Sequence, residues 1–139
     1  MKKIITFAAL ITIAFSFFSC RTIKDIPEEK TSAQIIQMGQ NYVGSSDYKS
    51  AEVCYNTVIE RFGSDPAVFV EAKYELGRVY LVQRKYEKAY NTFTEILDLY
   101  DDYGAMLPGA YKKLCTISID QIPEIRLAEI KAKKAADAR

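Results

Sequence analysis

Two patterns of apolar positions divide the chain. From Ile4 to Phe18 apolar residues follow one another almost without a break, interrupted only by Thr6, Thr12 and Ser16. Beyond residue 31 the apolar and aromatic positions are spaced, and the spacing recurs. Met38-Gly39-x-x-Tyr42, then Tyr48, Ala51 and Tyr55, is answered by Leu76-Gly77-x-x-Tyr80, then Tyr86, Ala89 and Phe93, each pair 38 residues apart. Within each unit the glycine precedes the alanine by twelve residues and the second aromatic by sixteen.

This spacing predicts a helical hairpin. The first helix carries a large apolar residue beside a glycine, where a neighbouring helix can approach, and a tyrosine one turn later. The second carries a small alanine at the crossing and an aromatic four residues on, on the same face. One hairpin cannot bury both of its faces, so the units must stack. Local chemistry marks the boundaries: Thr31 with Gln34 makes a capping box, Ser46 or Asp47 caps the next helix, and Asp65-Pro66 supplies a cap and a first-turn proline. Gly44 and Gly63 suit helix ends. The expected helices are 32–44, 47–62, 66–82, 86–101, 105–120 and 124–137, and no segment reads as a strand.

A third unit is partial. Thirty-eight residues after Leu76-Gly77 stand Leu114-Cys115, with Ala110-Tyr111-Lys112-Lys113-Leu114 parallel to Ala72–Leu76. Its second helix is degenerate, with Leu127 at the alanine position and Lys131 at the aromatic one. After Pro123 an apolar stripe of Ile125, Leu127, Ala128, Ile130 and Ala132 predicts a capping helix.

The residues Tyr86-x-x-Ala89-x-x-x-Phe93 and Ala72-x-Tyr74-x-Leu76-Gly77 resemble the tetratricopeptide repeat (TPR), whose usual period is about 34 residues. The extra four residues fall between repeats, at Phe62–Pro66 and Tyr100–Gly104. Elongated repeats of this kind are similar to those of BamD-like and YbgF/CpoB-like envelope proteins. The resemblance implies an all-α TPR solenoid of about two and a half hairpins plus a C-terminal capping helix. The expected organisation is TPR 1 over 32–65, TPR 2 over 66–103, and a partial TPR 3 with the capping helix over 104–139.

The apolar run at the start has the layout of a secretory signal: Met1-Lys2-Lys3, the run, then Ser19-Cys20. At 15 residues it falls short of the ~20 that a spanning helix needs. Phe17-Phe18-Ser19-Cys20 resembles a lipobox, which implies a signal peptide over 1–19 and lipidation of Cys20. Residues 20–31 then read as a lipidated tether. A plain signal, or an uncleaved anchor with an incidental cysteine, is the alternative.

Composition changes meaning once that segment is set aside. The whole chain has 19 Lys+Arg against 18 Asp+Glu. Residues 20–139 keep 17 basic and 18 acidic side chains, a charge of −1. This balance excludes the basic footprint of a nucleic-acid binder. The absence of histidine excludes Ser-His-Asp and Cys-His nucleophiles and imidazole zinc sites. Cys54 and Cys115 fall in different repeats and are expected as buried free thiols, a disulfide being the alternative. Asp98, Asp101 and Asp102 lack the spacing of a calcium loop. No catalytic residue, metal or cofactor is expected.

What remains is the face that first helices line in TPR proteins. Carried over by register, it comprises Gln40 in the first unit, Glu71, Tyr74 and Arg78 in the second, and Lys112 and Thr116 in the third, with Ile36, Val43, Leu81 and Ile119 beside them. Tyr74, Arg78 and Lys112 would suit an acidic or carboxyl-terminal peptide. The expected function is a non-enzymatic interaction scaffold. It would be lipid-anchored on the periplasmic side of the outer membrane, bind a protein or peptide partner, and act as BamD-like proteins do in outer-membrane protein assembly. YbgF/CpoB-like coordination of envelope and peptidoglycan processes, a solute-binding transport subunit, and an enzyme are the rivals.

Overall fold

The computed structural model describes residues 22–23 and 25–138; the apolar run, Ser19 and Cys20 lie outside them. Each of the first three helices begins where a side chain replaces a missing backbone partner. Thr31 Oγ1 accepts from the Gln34 amide at 3.3 Å, and Gln34 Oε1 accepts from the Thr31 amide at 3.0 Å. This reciprocal cap starts α1 (Ser32–Gly44). Asp47 caps α2 (Tyr48–Phe62) through the Ser50 amide. Asp65 caps α3 (Pro66–Val82), with Pro66 placed where its missing N–H is no loss. The chain continues through α4 (Tyr86–Tyr103), a 3₁₀ turn (Gly104–Met106), α5 (Ala110–Asp120) and α6 (Glu124–Asp137). The fold is all-α, with no strand among the described residues. None of the helices described is long and apolar enough to cross a membrane.

The turns after α1 and α3 are copies of one another. Ser46 has φ 61° and Arg84, 38 residues later, has φ 58°. The Ser46 amide donates to Val43 O and the Asp47 amide to Tyr42 O, both at 2.9 Å. The amides of Arg84 and Lys85 donate to Leu81 O and Tyr80 O at the same distance. This is the Schellman arrangement, which satisfies carbonyls that a helix end leaves free. Gly44, expected to serve the helix end, is an ordinary last residue; the left-handed position falls on Ser46.

The helices pack in succession, α1 on α2, α2 on α3, α3 on α4 and α4 on α5, and α1 and α5 both touch α3. The glycines set the closeness within each hairpin. A methyl group on Gly39 would stand 2.6 Å from the Tyr55 ring, and one on Gly77 would stand 2.6 Å from the Phe93 ring. Both rings are fully buried. Two clusters result. Ile35, Ile36, Ala51, Cys54, Tyr55 and Val58 meet Ala72, Leu76 and Val79 of α3 in the first. Val70, Ala89, Phe93, Ile96 and Tyr100 meet Leu107 and Cys115 in the second. α3 therefore belongs to both, and burying an aromatic of this size in each is worth about 1.5–3 kcal/mol.

Three differences from the expected layout have physical causes. The helix expected over 105–120 begins only at Ala110, because Leu107 precedes Pro108 and is extended, with φ −99° and ψ 150°. The 38-residue register then slips by one. Ala72, Leu76 and Val79 are buried, but their counterparts Ala110, Leu114 and Ile117 are exposed. The strip of α5 turned inward is Tyr111, Cys115 and Ser118. α6, in turn, packs on α4 and not along α5 as a hairpin partner would. Lys133 pairs with Glu87 at 2.7 Å, and the Lys134 ammonium stands 5.3 Å from the Tyr90 ring centroid.

The third difference concerns the stretch expected as a tether, part of which is bound to the fold. The Ile23 amide donates to Ser50 Oγ at 3.0 Å, and Ile26 is buried against the first cluster. The Arg61 guanidinium donates to Ile26 O at 2.8 Å and to Pro27 O at 3.0 Å. Ile23 and residues 25–27 thus form a strap running along α2 in the direction of that helix.

Candidate functional site

The surface formed by α1 and α3 carries a polar cluster that spans the two repeats. Gln40 of α1 donates through Nε2 to Glu75 Oε1 at 3.4 Å, and Arg78 donates through Nη1 to Glu75 Oε2 at 3.1 Å. The Glu75 side chain is 14% exposed and that of Arg78 is 52% exposed. Glu75 is therefore held in place by two donors, while half of the Arg78 side chain stays exposed. Beneath the cluster lies the fully buried Tyr55, whose hydroxyl has no partner among the described residues. Burial pushes this phenol up, Glu75 adds to the shift and Arg78 opposes it. The hydroxyl thus lies within the electrostatic reach of the pair above.

The other positions selected by register are not all on this surface. Tyr74 sits where α3, α4 and α5 meet. Its ring centroid is 5.9 Å from that of Phe93 and 5.4 Å from that of Tyr111, and its hydroxyl is 3.4 Å from Ser118 Oγ. It is half-buried and occupied in packing. Glu71 is half-buried and faces Tyr111, whose phenol is pushed up to about 12 by burial first, then by Glu71 and Glu75. Lys112 is turned toward α4, its ammonium 6.0 Å from the Tyr100 ring centroid. Thr116 is exposed and donates to Lys112 O at 3.1 Å. The one-residue slip of α5 is the reason these last two are not joined to Arg78.

Two residues of the site escaped register reasoning. Glu75 holds Gln40 and Arg78 together, and its position three residues before Arg78, where side chains on a helix meet, was the available signal. Tyr111 occupies the inward strip of α5 that the slip created, which no spacing in the sequence announced.

Two clefts lie elsewhere. One of about 630 Å³ opens between the start of α4 and α6, lined by Arg84, Tyr86, Glu87, Pro123, Ile125, Arg126, Glu129, Ile130 and Lys133. A smaller one of about 320 Å³ lies at the opposite end of α4, against Phe69, Leu99, Tyr103 and Leu107. None of the six positions selected by register lines either. Cys54 and Cys115 are buried free thiols in separate clusters, pushed by burial to about 11 and about 12. A thiol so protonated is a poor nucleophile and a poor metal ligand. Among the described residues no three carboxylates or thiols gather as a metal site would require.

No protein-family profile matches the chain, and no solved structure matches it. It is similar to an uncharacterized protein of Treponema pallidum (strain Nichols), with 30% identity over 129 residues. The match takes in 90% of this chain and 52% of the relative, so the chain spans about half the length of the curated relative it matches.

Proposed function

We propose that the chain is a TPR-type adaptor, not an enzyme, attached to an envelope membrane through a lipid on Cys20 and binding a protein segment across its α1–α3 face. One observation above the others supports the repeat assignment. The glycine-to-ring interlock and the left-handed turn both recur at a spacing of 38 residues, as Gly39–Tyr55 with Ser46 and as Gly77–Phe93 with Arg84. Two units with the same internal contacts and the same turn are what a stacked hairpin array consists of. Stacking consumes the faces between units and leaves the α1–α3 surface to other molecules.

The ligand chemistry follows from the cluster on that surface. Arg78 offers fork-shaped donors to a carboxylate or a backbone carbonyl, while Gln40 and Glu75 offer a donor and an acceptor to an extended main chain. The proposed process is outer-membrane protein assembly, in the manner of BamD-like proteins, which the elongated repeat and the lipobox support.

A photoreactive amino acid in place of Arg78 in living cells, followed by identification of the captured protein, is the direct test. Capture of a barrel-assembly component or an unfolded barrel client is the expected result. Capture of neither, from envelopes in which the chain is folded and abundant, would overturn the assembly role.

A further inference from the structure

The end of the molecule from which the N-terminal strap emerges can be followed from contact to contact. Ile23 is bound at Ser50, in the first turn of α2. Two residues on, still in the first turns of α2, Glu52 accepts from Gln83 at 2.7 Å and pairs with Lys85 at 3.0 Å, which brings the α3–α4 turn alongside. Arg84 and Tyr86 of that turn share the 630 Å³ cleft with Pro123 and Ile125 of the α5–α6 turn. Whatever precedes Thr22 in the chain therefore joins the fold at the end built by the three hairpin turns.

That end also exposes an apolar side chain beside aromatic and cationic neighbours. Ile125 is 74% exposed at the first turn of α6. The acidic side chains of its cleft are taken, Glu87 by Lys133 and Glu129 by Arg126, and Arg84 has no ion pair among the described residues. An exposed isoleucine ringed by a tyrosine, a proline and an unpaired guanidinium has the chemistry of the interface between headgroups and acyl chains. The apolar group enters, the phenol sits at the boundary, and the guanidinium reaches back to a phosphate. The far end of α4 also exposes apolar side chains, Tyr103 and Met106, but sets them near the exposed Asp98, Asp101 and Asp102, about 18–24 Å along the helix from Tyr86. An anionic headgroup layer would repel it.

We propose that the hairpin-turn end is the surface that lies on the lipid bilayer, with Ile125 entering the headgroup layer and Arg84 meeting a lipid phosphate. This rests on the lipid-anchored reading above, because a single isoleucine does not hold a protein on a membrane by itself, whereas acyl chains do. The surface fixes which way the anchored molecule faces, and it leaves the α1–α3 cluster open to partners.

The test uses the full chain expressed in bacterial cells grown with phosphate-labelled phospholipid. A diazirine amino acid replaces Ile125 in one strain and Met106, which is 78% exposed, in another. After irradiation, labelled lipid migrating with the protein is expected to be several-fold higher for position 125 than for position 106. Palmitate incorporation, measured in the same cells, tests the anchor separately. Palmitate present with no excess of lipid at 125, or with a protein adduct there instead, overturns the proposed surface alone. Palmitate absent overturns the anchored reading and this proposal with it.

Discussion

The Phe93 ring rests on Gly77 so closely that a methyl group there would come within 2.6 Å of Cε1. Replacing Gly77 by alanine gains up to about 1 kcal/mol of helix propensity. Forcing a methyl into a fully buried ring contact costs about 1–3 kcal/mol. The repulsion wins, so Gly77→Ala is expected to lower the melting temperature followed by circular dichroism, and Phe93→Leu added to it to recover part of the loss. An unchanged or raised melting temperature in Gly77→Ala would mean that the ring and glycine do not meet in this way.

Tyr55 occupies in the first repeat the position of Phe93 in the second, with a hydroxyl that has no partner among the described residues. A buried hydroxyl without a hydrogen bond costs about 1–3 kcal/mol. Tyr55→Phe is therefore expected to raise the urea midpoint without changing the slope of the transition. A lowered midpoint would show that the hydroxyl is satisfied in solution.

Both buried thiols hold their protons above the ordinary value of 9.0, Cys54 to about 11 and Cys115 to about 12. Above pH 9 the unfolded chain has lost these protons while the folded chain retains them. The stability they contribute is complete below pH 9 and falls as pH rises toward 11–12, by up to about 1.4 kcal/mol per pH unit for each thiol. At pH 8 a thiol-specific disulfide reagent should leave Cys54 and Cys115 unmodified in the folded protein and react with both after urea is added. Rapid modification of the folded protein at either position would contradict their burial.

Ser46 adopts φ 61°, where a side chain other than glycine's is strained. Removing that side chain relieves about 1 kcal/mol, part of which the extra freedom of the unfolded chain offsets. Ser46→Gly should raise the urea midpoint slightly, whereas Ser46→Val should lower it. Equal stability of the two variants would show that the turn is not left-handed.

The first three helices were legible in the sequence because their signals are local: Thr31 with Gln34, Asp47, and Asp65 with Pro66 all cap where side chains three or fewer residues apart can reach the backbone. The pairing of Gly39 with Tyr55 and Gly77 with Phe93 was legible because the same long-range contact is written twice. α5 was not, for the opposite reason. Counting from Gly77 reaches Leu114 and Cys115, a plausible pair, and nothing in their identity shows that the extended Leu107 before Pro108 has turned the helix by one position. Lys112 and Thr116 were carried onto the α1–α3 face by the same count. Gln40 and Arg78, within the two complete repeats, did come together, through a Glu75 that a search for repeating positions passes over.

The strap along α2 has a mechanical side. A pull on the chain ahead of Thr22 acts first on the Ile23–Ser50 bond, next on Ile26, and last on the Arg61 clasp over Ile26 and Pro27. When the strap is pulled away from α2, these attachments are loaded one after another and give way in turn, as a seam peels, and do not have to break together. The strap can then lengthen under load before tension reaches α1, which spares the interlocked rings of the two hairpins.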